Sequence, residues 1–261
     1  MRRIKLQRFA SLYWREIRAA RTRALVFAGL LVLWLLLFTS GLISHPGQAM
    51  IEANLGILTA LPFWAGAVAL WGLRGEWRAR TSELLLSLPV PSWQILLSKL
   101  LAVMTEVTAY SIGGLAASLL FLRRSALLAL AELPPGYWPG LAVPQALKLY
   151  VTYWLAIAGM VALLQFAFVV GRLVPRFSVL LSAMALVGGG WLVLALGTFT
   201  TWLLDLNHRG IHAAFVTWRP VNDAFQYVHL EANITPILVA IAMAVAFFLA
   251  SAYLLDHQVD A

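Results

Sequence analysis

The sequence predicts an all-α integral membrane protein with six transmembrane helices, and three observations predict it. Of its 261 residues, 62% are apolar and 11% are charged, too little charge to cover a soluble domain of that length. Six apolar stretches are each long enough to cross a hydrocarbon core, which takes about 20 residues. Lys and Arg are unequally divided between the two sides that six spans define.

The stretches are residues 24–43, 54–73, 100–122, 147–170, 177–204 and 232–255, and only Glu106 and, at an edge, Lys148 bring charge into them. Backbone amides in lipid must be paired within their own segment. Barrel strands would alternate in polarity and these runs do not, so they read as helices. With the N-terminus placed inside, the outer side holds Arg123, Arg124, Lys148, Arg209 and Arg219, and every other Lys and Arg of the 19 lies on the cytoplasmic side. An even number of spans then returns residues 256–261 to the cytoplasm as a short tail. Residues 1–261 read as a single transmembrane domain.

The chain has no cysteine, which excludes disulfides and thiolate chemistry. Its formal net charge is +8. The basic residues sit beside apolar spans, so anionic membrane lipid, and no nucleic acid, is the expected partner. The first residues, Met-Arg-Arg-Ile-Lys, are not followed by a short apolar core with a small-residue cleavage site, so they read as mature protein.

Residues 1–23 form a distinct unit. Leu6, Phe9, Tyr13, Ile17 and Ala20 fall on one face of a 3.6-residue helix, and Arg8, Ser11, Arg15, Arg18 and Thr22 on the other. That two-faced pattern, with Tyr13 and Trp14 suited to the headgroup layer, predicts a helix lying in the interface plane before the chain turns into the membrane. On the outer side, residues 123–146 carry Pro134, Pro135, Gly136, Pro139 and Pro144 and read as irregular. Residues 205–231 alternate polar positions with Ile211, Phe215, Val216, Trp218, Phe225, Tyr227 and Val228. They read as an outer cap or as a folded surface loop.

The most informative stretch is residues 74–99, RGEWRARTSELLLSLPVPSWQILLSK. Glu76 and Arg80 are four apart with the acid first, the better orientation for a helical ion pair. Leu84, Leu85, Leu86 and Leu88 give that helix an apolar side. Pro89 disfavours helix at Leu88, and Pro91 extends the break. Ser92 can cap the helix that follows. The physical object is a short cytoplasmic amphipathic helix, stopped hard, whose leucines either meet a partner surface or lie on lipid.

Glu76, Thr81, Glu83, Leu84, Leu85, Leu86, Leu88 and Pro89, followed by Ile95, Leu96, Leu97, Lys99 and Leu100, resemble the signature of ABC transporter type 2 permeases. There the run reads roughly E-x-x-x-G-T-x-E-x-L-L-x-x-P and precedes an I-L-L-x-K-x-L segment. The layout of an in-plane helix, six spans and an outer segment before the last span is similar along nearly the whole chain, while the specific motif covers this one segment. Arg80 stands where the family usually has glycine. Residues 93–99 look most like the gliding-motility and nitrous-oxide-maturation permeases.

The resemblance implies a coupling helix between the second and third spans that docks on a cytoplasmic ATP-binding-cassette ATPase, through Glu76, Arg80, Thr81, Glu83, Leu84, Leu85, Leu86, Leu88 and Pro89. It further implies a translocation pathway shared with a second permease copy or a homologue, export as the direction, residence in the cytoplasmic membrane, and room for an extracytoplasmic accessory protein. The chain has no G-x-x-x-x-G-K-[ST] sequence, so it cannot bind ATP in the P-loop manner. ATP and magnesium belong to the partner ATPase, and this chain needs no cofactor and is not itself an enzyme.

Glu106 is the one acid well inside a span. An ionised group there costs at least about 2.5 kcal/mol on insertion scales, so it must face other helices or water. Tyr110, four residues on, can hydrogen-bond it. The pair is a candidate for the translocation path, against a buried structural acid bonded to a neighbouring helix. His208 and His212 have helical metal spacing near Asp205, but Gly210 between them weakens a helix and no third ligand is fixed. No metal site and no catalytic residues are assigned. Gly188, Gly189 and Gly190 read as a close helix approach or kink, and Thr198, Thr200 and Thr201 as hydroxyls bonding back to their own helix. Two rival readings are a membrane anchor or sensor that recruits a partner through the leucine helix, and an intramembrane enzyme, for which no converging polar set can be assembled.

Overall fold

The computed structural model describes residues 2–39, 46–78, 91–131, 142–204, 210–219 and 224–258. They form α1 (Arg2–Thr39), α2 (Pro46–Arg78), α3 (Ser92–Ala131), α4 (Ala142–Leu173), a 3-10 turn (Pro175–Phe177), α5 (Ser178–Leu204), β1 (Gly210–Arg219), β2 (Ala224–Asn233) and α6 (Ile234–Gln258). Five stretches among the described residues are long and apolar enough to cross a membrane: Gly56–Gly75, Ser92–Ala116, Tyr150–Leu173, Ser178–Trp202 and Pro236–His257. The protein is a helical, multi-pass membrane protein.

The helices run alternately up and down. Leu58 of α2 meets Tyr153 of α4, and Gly66 meets Met160 and Leu164, so α2 and α4 are parallel. Gly159 meets Ala244 and Phe166 meets Phe247, so α4 and α6 are parallel. In the span of α3 61% of the residues are buried, against 6% in the span of α5. α3 is therefore the axis of the bundle and α5 its periphery. One core cluster joins Leu61, Ala65 and Val68 of α2 to Val103, Met104 and Val107 of α3 and to Ile157 and Val161 of α4. A second joins Leu73, Leu96, Phe168, Val169, Ala252 and Leu255.

Pro62 lies inside α2. It has no N–H, so the carbonyl of Leu58, four residues back, loses its helical partner. The Tyr153 hydroxyl of α4 donates to that carbonyl, the kind of inter-helix satisfaction that a proline in a membrane span requires. At the other end of the same pair of layers, Gly171 of α4 fits tightly against α5. A Cβ there would overlap Ser182 Oγ and fall 2.6 Å from the Ser178 carbonyl oxygen.

The structure departs from the sequence reading in four places. First, α1 is one helix of 38 residues, with no break after residue 23 where an in-plane helix would turn into a span. The two-faced pattern itself holds: Ala20 is buried and Phe9, Tyr13 and Ile17 half-buried, while Ser11, Arg15, Arg18 and Thr22 are exposed. The covering surface includes α3, and that contact carries the helix straight on. Second, α3 continues to Ala131 and α4 begins at Ala142, so only residues 132–141 of the expected irregular stretch lie outside the described helices. Third, β1 and β2 pair as an antiparallel ribbon, with Ile211 opposite Ala232 and Phe215 opposite Val228. The fold is thus the expected helical bundle with one β-ribbon added to it. Fourth, α2 runs on to Arg78, so Glu76 belongs to the end of α2 and not to a separate cytoplasmic helix.

Candidate functional site

α1 and α3 run side by side in the same direction, and their polar contacts repeat at one offset. Lys99 Nζ lies 3.1 Å from Glu16 Oε1. Seven residues further along both helices, Arg23 grips Glu106 with two prongs, Nη2 to Oε1 at 2.5 Å and Nε to Oε2 at 3.2 Å. Both pairs are separated by 83 residues in sequence. Phe27 stacks on Tyr110 with ring centroids 4.0 Å apart, and Leu12 packs on Ile95. Tyr13 shares a 2.8 Å hydrogen bond with Thr105, and Arg15 adds a second cation to Glu16 at 3.2 Å.

The seam fixes register. The charge order is acid then base on α1 and base then acid on α3. A seven-residue slip in either direction sets Glu16 against Glu106 or Arg23 against Lys99, both repulsive. Glu106 is only 6% exposed, and a buried charge is costly unless it is paired, as Arg23 pairs it here.

Glu106 and Tyr110 are brought together as expected, the Tyr110 hydroxyl donating to Glu106 Oε2 at 3.3 Å. Arg23 is the partner that spacing alone did not reveal. Both residues are buried among α1, α2 and α3, where Trp64 meets Tyr110 edge-on. Neither borders the cavity of about 890 Å³ between α4, α5 and α6. Its walls are apolar, from Met160 and Leu163 to Ile241 and Phe247, with Thr152, Thr198 and Thr201 towards one end. Thr198, Thr200 and Thr201 do bond back to their own helix, at 2.7–2.9 Å. Gly189 is a close approach: a Cβ would fall 2.5 Å from Leu163 Cδ1.

Of the expected docking residues, Glu76 lies in the last turn of α2. Arg80, Thr81, Glu83, Leu84, Leu85, Leu86, Leu88 and Pro89 lie outside the described residues. The helix after the prolines starts at Ser92 as expected, but its first amide is met from elsewhere. Asp256, near the end of α6, accepts the Ser92 N–H at 3.2 Å. A carboxylate at a helix N-terminus satisfies an orphan donor and complements the helix dipole. This contact sets the end of α6 beside the start of α3. The end of α4 and the start of α5 join there too, around Arg74. That end of the bundle carries Arg74, Lys99, Arg172 and Arg176.

His212 lies in β1 opposite Glu231; His208 is outside the described residues. The helical His–His spacing does not form, and the described residues hold no metal-binding group of three ligands. Gln165 is a polar residue that sequence reasoning passed over. It is 1% exposed, its Nε2 donates to the Leu96 carbonyl at 3.5 Å, and its Oε1 has no partner among the described residues.

No family model, curated protein or solved structure matches the chain.

Proposed function

We propose that this chain is the membrane-spanning permease subunit of an ATP-binding-cassette exporter. The observation that carries the reading is the sequence of residues 76–100, a charged and leucine-rich stretch closed by Pro89 and Pro91, in the order seen in type 2 permeases. Its setting supports the reading. Of the helices on either side, α2 ends and α3 begins at the basic end of the bundle, the end expected to face the cytoplasm. A partner there would find the segment on its own side of the membrane. In this account α1 supplies the first of six spans, both ends of the chain are cytoplasmic, and the membrane is the cytoplasmic one.

The chain brings no nucleotide chemistry of its own. Separate ATPase subunits, with ATP and magnesium, drive it. A second copy or a homologue completes the pathway, and α5, the least buried span, is the surface left to meet it. Glu106 and Tyr110 are better placed to hold α1 against α3 than to line a path. They would act in transport by making α1 and α3 move as a unit.

The test is purification of the tagged chain from its native membranes. An ATPase with a P-loop should accompany it, and the purified complex should hydrolyse ATP. A chain that emerges with no such subunit, under detergents that keep its helices folded, contradicts the proposal.

A further inference from the structure

α4, α5 and α6 enclose a cleft of about 890 Å³ in the half of the bundle away from the basic end. That is within the range of sites that bury small molecules, about 300–1,000 Å³. Its floor is at Gly189, near the middle of α5. A Cβ there would fall 2.5 Å from Leu163 of α4 and 3.2 Å from Phe247 of α6, so the three helices close on one another at that level. Beyond it α4 stays on α6, Gly159 against Ala244, and α5 returns to α6 where Gly197 meets Pro236. Gly190, one residue past the floor, faces open space: a Cβ on it would meet no atom of another helix within 4 Å. The mouth carries Ala156 of α4 and Leu194, Thr198 and Trp202 of α5, all exposed.

The described walls carry no charged residue. The Thr198 and Thr201 hydroxyls donate to carbonyls of their own helix, at 2.9 and 2.8 Å. A bound water needs about two to four polar partners, and a polar ligand would sit here with its groups unpaired. Hydrocarbon is what these walls suit. An unfilled space forfeits van der Waals contact along its lining, and for a membrane protein the nearest filler is a lipid chain. A spanning helix of another chain would need a groove through the whole depth, and this one stops at mid-bundle. A phospholipid chain has the matching reach, from one surface to the centre of a core about 30 Å thick.

We propose that this cleft holds one acyl chain of a membrane phospholipid. The methyl end of the chain lies against Gly190 and Phe247, and the headgroup stays outside, so the site takes a chain without regard to the headgroup. The site does not depend on the permease reading.

The full chain in phosphatidylcholine vesicles, doped with a phosphatidylcholine that carries a diazirine near the end of one chain, tests it. Adducts formed on photolysis are mapped by peptide mass spectrometry. The parent should carry adducts at Met160 and Leu163, inside the cleft, as well as at the exposed Val187. Gly190→Phe places a ring in the open space above the floor and should lose the adducts at Met160 and Leu163 while keeping the one at Val187. Gly188→Phe is the matched control. A Cβ at Gly188 is equally unobstructed, but this residue is exposed and off the cleft, so the cleft adducts should persist. If Gly190→Phe does not fold, Ala240→Leu fills the same space from α6 and should give the same loss. A phosphatidylglycerol probe should label the cleft as phosphatidylcholine does. Three results overturn the proposal. One is a parent labelled at Val187 but not at Met160 or Leu163, which means that no lipid chain enters the cleft. Another is cleft labelling equal in the parent and the filled variant. The third is an equal loss in Gly188→Phe, which means general lipid contact along α5 and not a site.

Discussion

Arg23 of α1 and Glu106 of α3 meet through two parallel hydrogen-bonded contacts, on a seam where Glu16 and Lys99 meet seven residues earlier with the signs reversed. Guanidinium and carboxylate geometry match in this way, and the fit adds specificity to the attraction. The first helix is thereby locked to the axis of the bundle by charge order and not by apolar packing alone.

Removing one partner should therefore cost more than removing both. Glu106→Gln leaves Arg23 beside an amide in a largely dry setting. Arg23→Gln with Glu106→Gln leaves two neutral groups that can bond each other. A double-mutant cycle on thermal unfolding in detergent should return a coupling of about 1 kcal/mol or more. Additive effects would mean that the pair contributes nothing to holding α1.

The link between Pro62 and Tyr153 gives a second cycle. Tyr153→Phe strips the donor from the Leu58 carbonyl and should destabilise by about 1 kcal/mol. Pro62→Ala restores the missing backbone N–H, so in that background Tyr153→Phe should be close to neutral. An equal loss in both backgrounds, measured by the same unfolding assay, would separate the tyrosine from the proline.

Asp256→Ala removes the carboxylate at the start of α3. A lost N-terminal cap costs about 1 kcal/mol, and the effect should be local. Amide exchange should accelerate in the first turn of α3, around Ser92 to Ile95, and remain unchanged near Glu106. Uniform acceleration along α3 would mean that Asp256 acts on the whole bundle.

Orientation is open to a clean test because the chain has no cysteine. Single cysteines at Gln48, Gly136 and Asn222 should react from outside sealed cells with a membrane-impermeant reagent. Those at Ser82 and Asp260 should not. Reaction at Ser82 would invert the topology or change the number of spans.

Five of the six expected spans were legible because lipid demands long apolar runs. The stretch 54–73 became Gly56–Gly75, and 147–170 became Tyr150–Leu173. What lies between helices was less legible, because partners are set by packing order. The signal for the α1–α3 seam was present as opposite charges seven apart, at Glu16 and Arg23 and again at Lys99 and Glu106. Nothing within one helix says which other helix answers it. The ribbon announced itself in the alternation of residues 211–218 and 225–228, a period of two that fits a strand. It was masked by the expectation that the chain is helical throughout. Asp256 looked like part of a solvated tail. Its role emerges only when the end of α6 is set beside the start of α3.

The central claim is that residues 76–88 dock on an ATPase. Leu85→Asp and Leu86→Asp each place a carboxylate where a groove of the partner would bury it unpaired, at a cost of several kcal/mol or a forced protonation. The measurement is the amount of ATPase that co-purifies with each variant at equal permease expression. Both variants should lose the ATPase while the helices still insert, and Arg80→Gly, which keeps the leucine surface, should retain most of it. An intact complex with Asp at both leucines would contradict the account.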